Sequence, residues 1–282
     1  MPTGSGGVDE AVRAACATHV GRSRAVEDAM SPVPARRLQA LLDQLPSLRE
    51  GDRLPIAWHW AYFADEVRRS DVGPDGHERL GLFLPPVPFH RRMWAASDVA
   101  VAEPLVLGRP ATRRSTIESV EFKSGRTGPL CFVRVRHAIE QDGRPRLQDA
   151  QTIVYRDRGL PEPASGEPSG PPPLGFLVHD DVQLLSYSCV THNGHRIHWD
   201  RDFCRSVEGY PDLVVHGPLL ATRLADALRA RRNASPRRFA FRALAPVLVT
   251  TPIRVEAQAD GAAGRVLRLD GREALAGEMG WD

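Results

Sequence analysis

The sequence predicts an α+β chain built as two successive units, each a helix followed by an antiparallel sheet. Three observations carry that prediction: two windows with leucines at helical spacing, runs of alternating apolar and polar residues behind each, and a Pro/Gly-rich break between the two sets.

In the first unit Leu38, Leu41, Leu42 and Leu45 fall at 0, +3, +4 and +7, one helical face, with Ser31 as N-cap and Pro34 in the first turn. Between Ala95 and Arg156, alternation in SDVAVAEPLVL, RRSTIESVEF, LCFVRVRHAI and AQTIVY predicts about four antiparallel strands. The intervening SGRTGP and EQDGRPR are turn chemistry. Residues 158–175, RGLPEPASGEPSGPPPLG, hold six prolines and four glycines, too little apolar surface to pack, and predict an extended tether. The expected division is therefore 1–157, 158–175 and 176–282. The second unit opens on a strand-like run at Phe176–Val190 and an irregular polar segment at His192–Asp202. A helix follows from His216-Gly217-Pro218, with Leu220, Leu224, Ala227 and Leu228 at 0, +4, +7 and +8. Strands are expected at RRFAFRAL, PIRVEAQAD and AAGRVLRLDG. One helix wrapped by a curved antiparallel sheet is the hotdog arrangement. Two copies joined edge to edge, a double hotdog, would cover otherwise exposed strand edges.

Composition narrows the function. With 37 basic and 35 acidic residues among 282, the formal charge is only +2, so a nucleic-acid partner is not expected. The four cysteines, Cys16, Cys131, Cys189 and Cys204, form no CxxC pair, which argues against a zinc ribbon or a disulfide framework. The first residues lack an apolar signal core and no apolar run reaches membrane-spanning length, so a cytoplasmic setting without membrane contact is expected. There is no GxxxxGK[ST], no GxGxxG after a strand and no GxSxG, so nucleotide-driven, nicotinamide-dependent and serine-hydrolase chemistries lose their usual warrant.

The chemistry-bearing segment is SYSCVTHNGHRIHWDRD at 186–202, followed by VVHGPLL at 214–220. His192, His195, His198 and Asp200 allow a metal reading, but Asn193-Gly194 argues against the regular helix that would gather them on one face. Acid–base chemistry fits better. A histidine can exchange a proton with water near neutrality, Asn193 can hold that water, and the free N–H groups at a helix beginning at Gly217 can stabilise a developing oxyanion. Together these are the parts needed to add water across an α,β-unsaturated thioester.

The run Asn193-Gly194-His195-Arg196-Ile197-His198-Trp199-Asp200, followed by Val215-His216-Gly217-Pro218-Leu219, resembles the hydratase signature of MaoC-like hotdog enzymes. It is most similar to the type 2 hydroxyacyl-thioester dehydratase branch, which includes 3-methylfumaryl-CoA (mesaconyl-C4-CoA) hydratases. Leu54–Trp60, Gly81–Pro88 and Arg91–Ala95 are similar to the N-terminal domain of that branch. The resemblance implies a double hotdog, one working site, and reversible hydration of an enoyl-CoA without metal or redox cofactor, CoA being part of the substrate. Asn193 stands where the wider signature has aspartate, and His195 where it has asparagine. His198 is then left to move the proton while Asn193 orients water, and Gly217 maps onto the glycine facing the thioester oxygen.

Arg196, His216, Arg91, Arg92, Trp58 and Trp60 are the candidates for substrate contact. Arg91 and Arg92 interrupt the apolar run FHRRMW and call for an anionic partner, either an internal acid or a substrate carboxylate such as that of a branched C5 dicarboxylyl-CoA. Arg196 faces a similar choice between CoA phosphates and Asp200. Trp58 and Trp60 would wall an acyl pocket or simply pack. The five arginines in 229–238 would meet CoA phosphates or complement a helix end. Itaconyl-CoA or fatty enoyl-thioester hydration, a hotdog thioesterase and a non-catalytic acyl-thioester binder are the rival readings. A homodimer is compatible with the pattern.

Overall fold

The computed structural model describes residues 8–125, 128–157 and 171–282. The first unit contains α1 (Glu10–Ala17), β1 (Ser23–Asp28), α2 (Pro32–Leu41), β2 (Arg91–Val101), β3 (Ala111–Gly125), β4 (Gly128–Gln141) and β5 (Arg144–Arg156). The second contains α3 (Asp181–Thr191), a single turn α4 (Arg201–Phe203), α5 (Gly217–Arg229), β6 (Pro236–Ala243), β7 (Ile253–Ala257), β8 (Ala263–Arg268) and β9 (Glu273–Trp281).

The nine strands among the described residues belong to one antiparallel sheet, ordered β1-β3-β4-β5-β2-β6-β9-β8-β7. The two units meet edge to edge through β2 and β6, from Ala96↔Arg242 to Ala100↔Arg238. Each half thus covers the other's open edge, which is the double-hotdog arrangement the sequence predicts. In the second half α5 packs on β6, β7, β8 and β9 through Leu220, Leu224 and Leu228, all buried.

Ser31 caps α2 by accepting from the Val33 amide at 3.3 Å, as its sequence position predicts. The helix stops at Leu41, and Asp43 adopts φ +59°. Leu45 is therefore turned out into solvent, 82% exposed, and not on the buried face its spacing suggested. A larger correction concerns Phe176–Val190. Instead of a strand, it holds α3, started by Asp180, whose carboxylate accepts from the Gln183 amide at 2.7 Å. Leu184, Tyr187 and Ser188 form its buried stripe, a helical spacing concealed by exposed Val182 and Leu185. Neither α1, β1 nor β9 stood out in the sequence. β9 (EALAGEMGW) contains no β-branched residue, and at Gly277 an added Cβ would stand only 3.0 Å from the Ala240 carbonyl oxygen. Of the Pro/Gly-rich stretch at 158–175, residues 158–170 lie outside the described residues.

Candidate active site

A cavity of about 480 Å³ lies between the inner face of β2–β5, the N-terminal end of α5 and the loops at 193–198 and 243–247. His198, Asn193, Gly217, Arg92 and Trp60 all line it. Residues 124 positions apart in sequence, Met93 and Gly217, therefore share one wall.

His198 is held by backbone geometry. It ends a 3-10 turn, Arg196–His198, and its Nδ1–H donates to the Val214 carbonyl at 2.7 Å. The Val214 amide returns a bond to the Ile197 carbonyl at 2.9 Å, so the two loops are stitched in both directions. With Nδ1 carrying the proton, Nε2 keeps its lone pair. Burial pushes the imidazole down to about 4, opposed by the Val214 carbonyl, so the ring is neutral at neutral pH and its Nε2 lone pair is unprotonated.

Asn193 is oriented the same way. Its Oδ1 accepts from the His195 amide at 3.0 Å, which leaves the Nδ2 hydrogens to donate to a bound oxygen. Of the α5 residues that line the cavity, Pro218 has no N–H and the Leu220 amide donates to the His216 carbonyl at 3.2 Å, while His216 makes no side-chain cap, so the Gly217 amide is the free helix N–H there. A Cβ on Gly217 would meet only the Trp94 carbonyl oxygen, at 3.8 Å. The protein itself therefore leaves room for a side chain there, and the demand for glycine comes from the cavity side.

The remaining candidates divide. Arg92 lines the cavity; its Nη2 lies 3.4 Å from Asp75, and among the described residues its Nε and Nη2 have no hydrogen-bond partner. Arg91 does not line the cavity. It is buried against Glu208, donating to the Glu208 carbonyl with its Nε 3.7 Å from the carboxylate, and it stacks on Tyr210. Arg196 likewise turns away, donating to Asp200 at 2.6 and 3.0 Å and to the Pro74 carbonyl at 3.0 Å. Trp58 packs in the core and donates to Asp226 at 3.1 Å. Trp60 donates to Asp149 at 2.9 Å. His216 lies behind His198, its Nε2 2.9 Å from the Ser188 hydroxyl.

Several lining groups were not singled out in the sequence. His77 belongs to a turn-rich strap in the first unit, and its ring sits 4.6 Å from that of His195. Burial and the Arg92 charge lower His77 well below its usual range; burial, with His198 and Arg92, does the same to His195. The strap is fixed by the Arg196 amide, which donates to Asp75 O at 2.9 Å, and by backbone contact of Gly76 with Gly194. At the far wall, Asp149 accepts from His59 (3.1 Å), Trp60 (2.9 Å), Gln151 (2.8 Å) and the Ser97 hydroxyl. Burial would raise its carboxyl, but the His59 and Ser97 donors hold it at about 2. The available signal was Asp149 and Gln151 occupying the inward phase of an alternating strand. His77 gave none, because only tertiary contact brings it to the loop at 195. Among the described residues no group of three or more metal-ligating side chains is arranged to hold an ion.

Residues 57–249 match the family described as hydroxyacyl-thioester dehydratase type 2. The chain is 38% identical over 247 residues to the mesaconyl-C(4)-CoA hydratase of Chloroflexus aurantiacus, spanning 86% of this chain and 88% of that protein. It is 24% identical over 271 residues to the mitochondrial hydroxyacyl-thioester dehydratase type 2 of Schizosaccharomyces pombe, covering 82% and 88%. Among solved structures, HtdX of Mycobacterium tuberculosis superposes with TM-score 0.68 at 18% identity, over 93% of this chain and 100% of that one. A second Mycobacterium tuberculosis protein, described as a double hotdog, superposes with TM-score 0.57 at 12% identity, over 92% and 95%. Family match and relatives agree: the chain belongs to the type 2 hydroxyacyl-thioester dehydratases, hydro-lyases that hydrate enoyl thioesters and dehydrate their hydroxyacyl products.

Proposed function

We propose that the chain adds water reversibly to a branched C5 dicarboxylyl-CoA such as 3-methylfumaryl-CoA, giving citramalyl-CoA. The observation that carries the site assignment is the Nδ1–H bond from His198 to Val214, which leaves an unprotonated Nε2 in the cavity lined by Gly217. In this reading Asn193 Nδ2 holds a water and His198 Nε2 takes its proton. The hydroxide adds to the β-carbon, and the electron pair of the double bond moves to the thioester oxygen as an enolate. The free Gly217 N–H, at the positive end of the α5 dipole, stabilises that oxygen. The proton on His198 then passes to the α-carbon, so water is added with no net change at the enzyme. Burial disfavours the imidazolium, but the adjacent enolate offsets this as both charges develop together.

Arg92 supports the dicarboxylyl preference, since it lines the cavity, its Nε makes no hydrogen bond among the described residues, and its Nη2 approaches Asp75 only at 3.4 Å, which suits a carboxylate. The resemblance to the Chloroflexus enzyme points to the same acyl chain. A cytoplasmic setting accords with four cysteines that are all unbridged.

Incubation with 3-methylfumaryl-CoA and crotonyl-CoA tests the reading. Loss of enoyl absorbance without thiol release is expected. Free CoA release would instead assign a thioesterase, and saturable binding without turnover a non-catalytic binder.

A further inference from the structure

A second cavity, of about 380 Å³, lies at the other end of the central strands, where β2 finishes at Val101, β5 begins near Leu147 and β6 begins at Pro236. Three guanidiniums line it, those of Arg53, Arg229 and Arg232, together with Asn233 and Ser235; among the described residues no carboxylate does. In a chain with nearly equal numbers of acids and bases, that is a local excess of positive charge. The nearest acid on α5, Asp226, is already engaged by Trp58, Gln44 and Arg229. The sixth polar group is His59, which lines both cavities. Its Nε2 is bonded to Asp149, while its buried Nδ1 has no partner.

We propose that this second cavity binds the phosphate groups of a phosphorylated small molecule. Several guanidiniums with amide and hydroxyl donors match the many acceptor oxygens of a phosphate ester or anhydride, and they outnumber what one carboxylate needs. The volume exceeds that of a phosphate group, and Leu54, Ile56 and Leu105 on its walls suit an organic body. The carbonyl end of α5 disfavours an anion, and Arg229 in its last turn opposes that dipole. Helix α5 spans the two sites, Gly217 at one and Arg229 at the other, about 18 Å apart along its axis. The ligand is therefore either the nucleotide end of the CoA substrate or a separate phosphorylated metabolite.

The probe is inorganic pyrophosphate, titrated calorimetrically at low salt into the full chain and into an Arg53→Gln/Arg232→Gln double variant. Both side chains are exposed, though Arg232 lies over the Trp281 ring at 5.3 Å, so a thermal melt checks that the double variant keeps its fold. Saturable binding, at least about tenfold weaker in the double variant and weakened by salt, is expected. No saturable binding, or binding unchanged in the double variant, overturns the proposal. The source is then read from kinetics. Pyrophosphate that raises KM for crotonyl-CoA but not for the N-acetylcysteamine thioester assigns the site to the substrate's own nucleotide. Binding that leaves both KM values unchanged assigns a separate ligand. Because the calorimetric result needs no turnover, it stands or falls apart from the hydratase reading.

Discussion

The rings of His198 and His216 lie face to face, 3.6 Å between centroids and 20° from parallel. His216 is fully buried, held by Ser188 and packed against Tyr187 at 4.7 Å, so it forms a fixed backing for the His198 ring. With the Val214 carbonyl fixing Nδ1, one tautomer and one ring plane are selected before any substrate arrives. His198→Ala is expected to lower kcat by at least about 100-fold, the loss associated with an absent acid–base group. Because alanine also leaves a void and an unpaired carbonyl, His198→Gln is the companion variant, with an amide able to donate to Val214. Hydration of crotonyl-CoA and thermal melts check both; full activity in either variant would remove His198 from the chemistry.

Stability should fall in mild acid. His77, His137, His179, His195, His198 and His216 are all lowered from the ordinary histidine value of 6.5, chiefly by burial, with His137 and His198 at about 4 and His179 at about 3. Below pH 6.5 the unfolded chain takes up protons that the folded chain refuses. Stability is therefore full above about 6.5 and is lost as pH falls toward 4. Asp149, depressed to about 2, is shifted in the same direction but from the carboxylate range. Its contribution persists through this window and is lost only as pH falls from about 4 toward 2. Melting temperatures measured from pH 7.5 to 4.5 should be level at first and then decline; a level profile throughout would contradict the burial of these rings.

Arg92 should set acyl preference. Its neighbours include the neutral imidazoles of His77 and His195; its Nη2 lies 3.4 Å from Asp75, and among the described residues its buried Nε and Nη2 make no hydrogen bond. A substrate carboxylate bonded there would contribute about 1.5–3 kcal/mol, the range for a hydrogen bond to a charged group. Arg92→Gln is thus expected to reduce kcat/KM for 3-methylfumaryl-CoA roughly 10- to 100-fold while changing crotonyl-CoA far less. Equal losses for both substrates would make Arg92 a structural residue.

Local signals made much of this molecule legible. Ser31 and the leucines of α2, the leucine stripe of α5 and the alternating strands β2 to β6 are written at short range in helical or two-residue periods. That Asn193, His198 and Gly217 line one cavity was legible because they lie close together in sequence. Arg91 and Arg92 were adjacent and indistinguishable as letters. The pleat of β2 separates them, one toward Glu208 and the other to the cavity wall. Asp180 and α3 were hidden because two exposed apolar residues imitated a strand. His77 was hidden because its approach to His195 depends on a contact between units far apart in sequence.

That contact yields the last prediction. Gly76 has φ +90°, and a Cβ built on it would collide with the Gly194 carbonyl group; a Cβ on Gly194 would stand 2.6 Å from the Gly76 oxygen. The two backbones touch at the point where the strap carrying His77 crosses the loop carrying Asn193 and His198. Gly76→Ala must therefore both strain the left-handed backbone and push the strap off the loop. By contrast, Gly217→Ala meets only an ordinary 3.8 Å contact within the protein. Gly76→Ala is expected to lower the melting temperature and the activity together. Gly217→Ala should keep the melting temperature and lose activity, because its new methyl group narrows the approach to the free α5 N–H. Melts and crotonyl-CoA kinetics on the two variants check this contrast. An active Gly217→Ala enzyme would move the oxyanion site away from the start of α5.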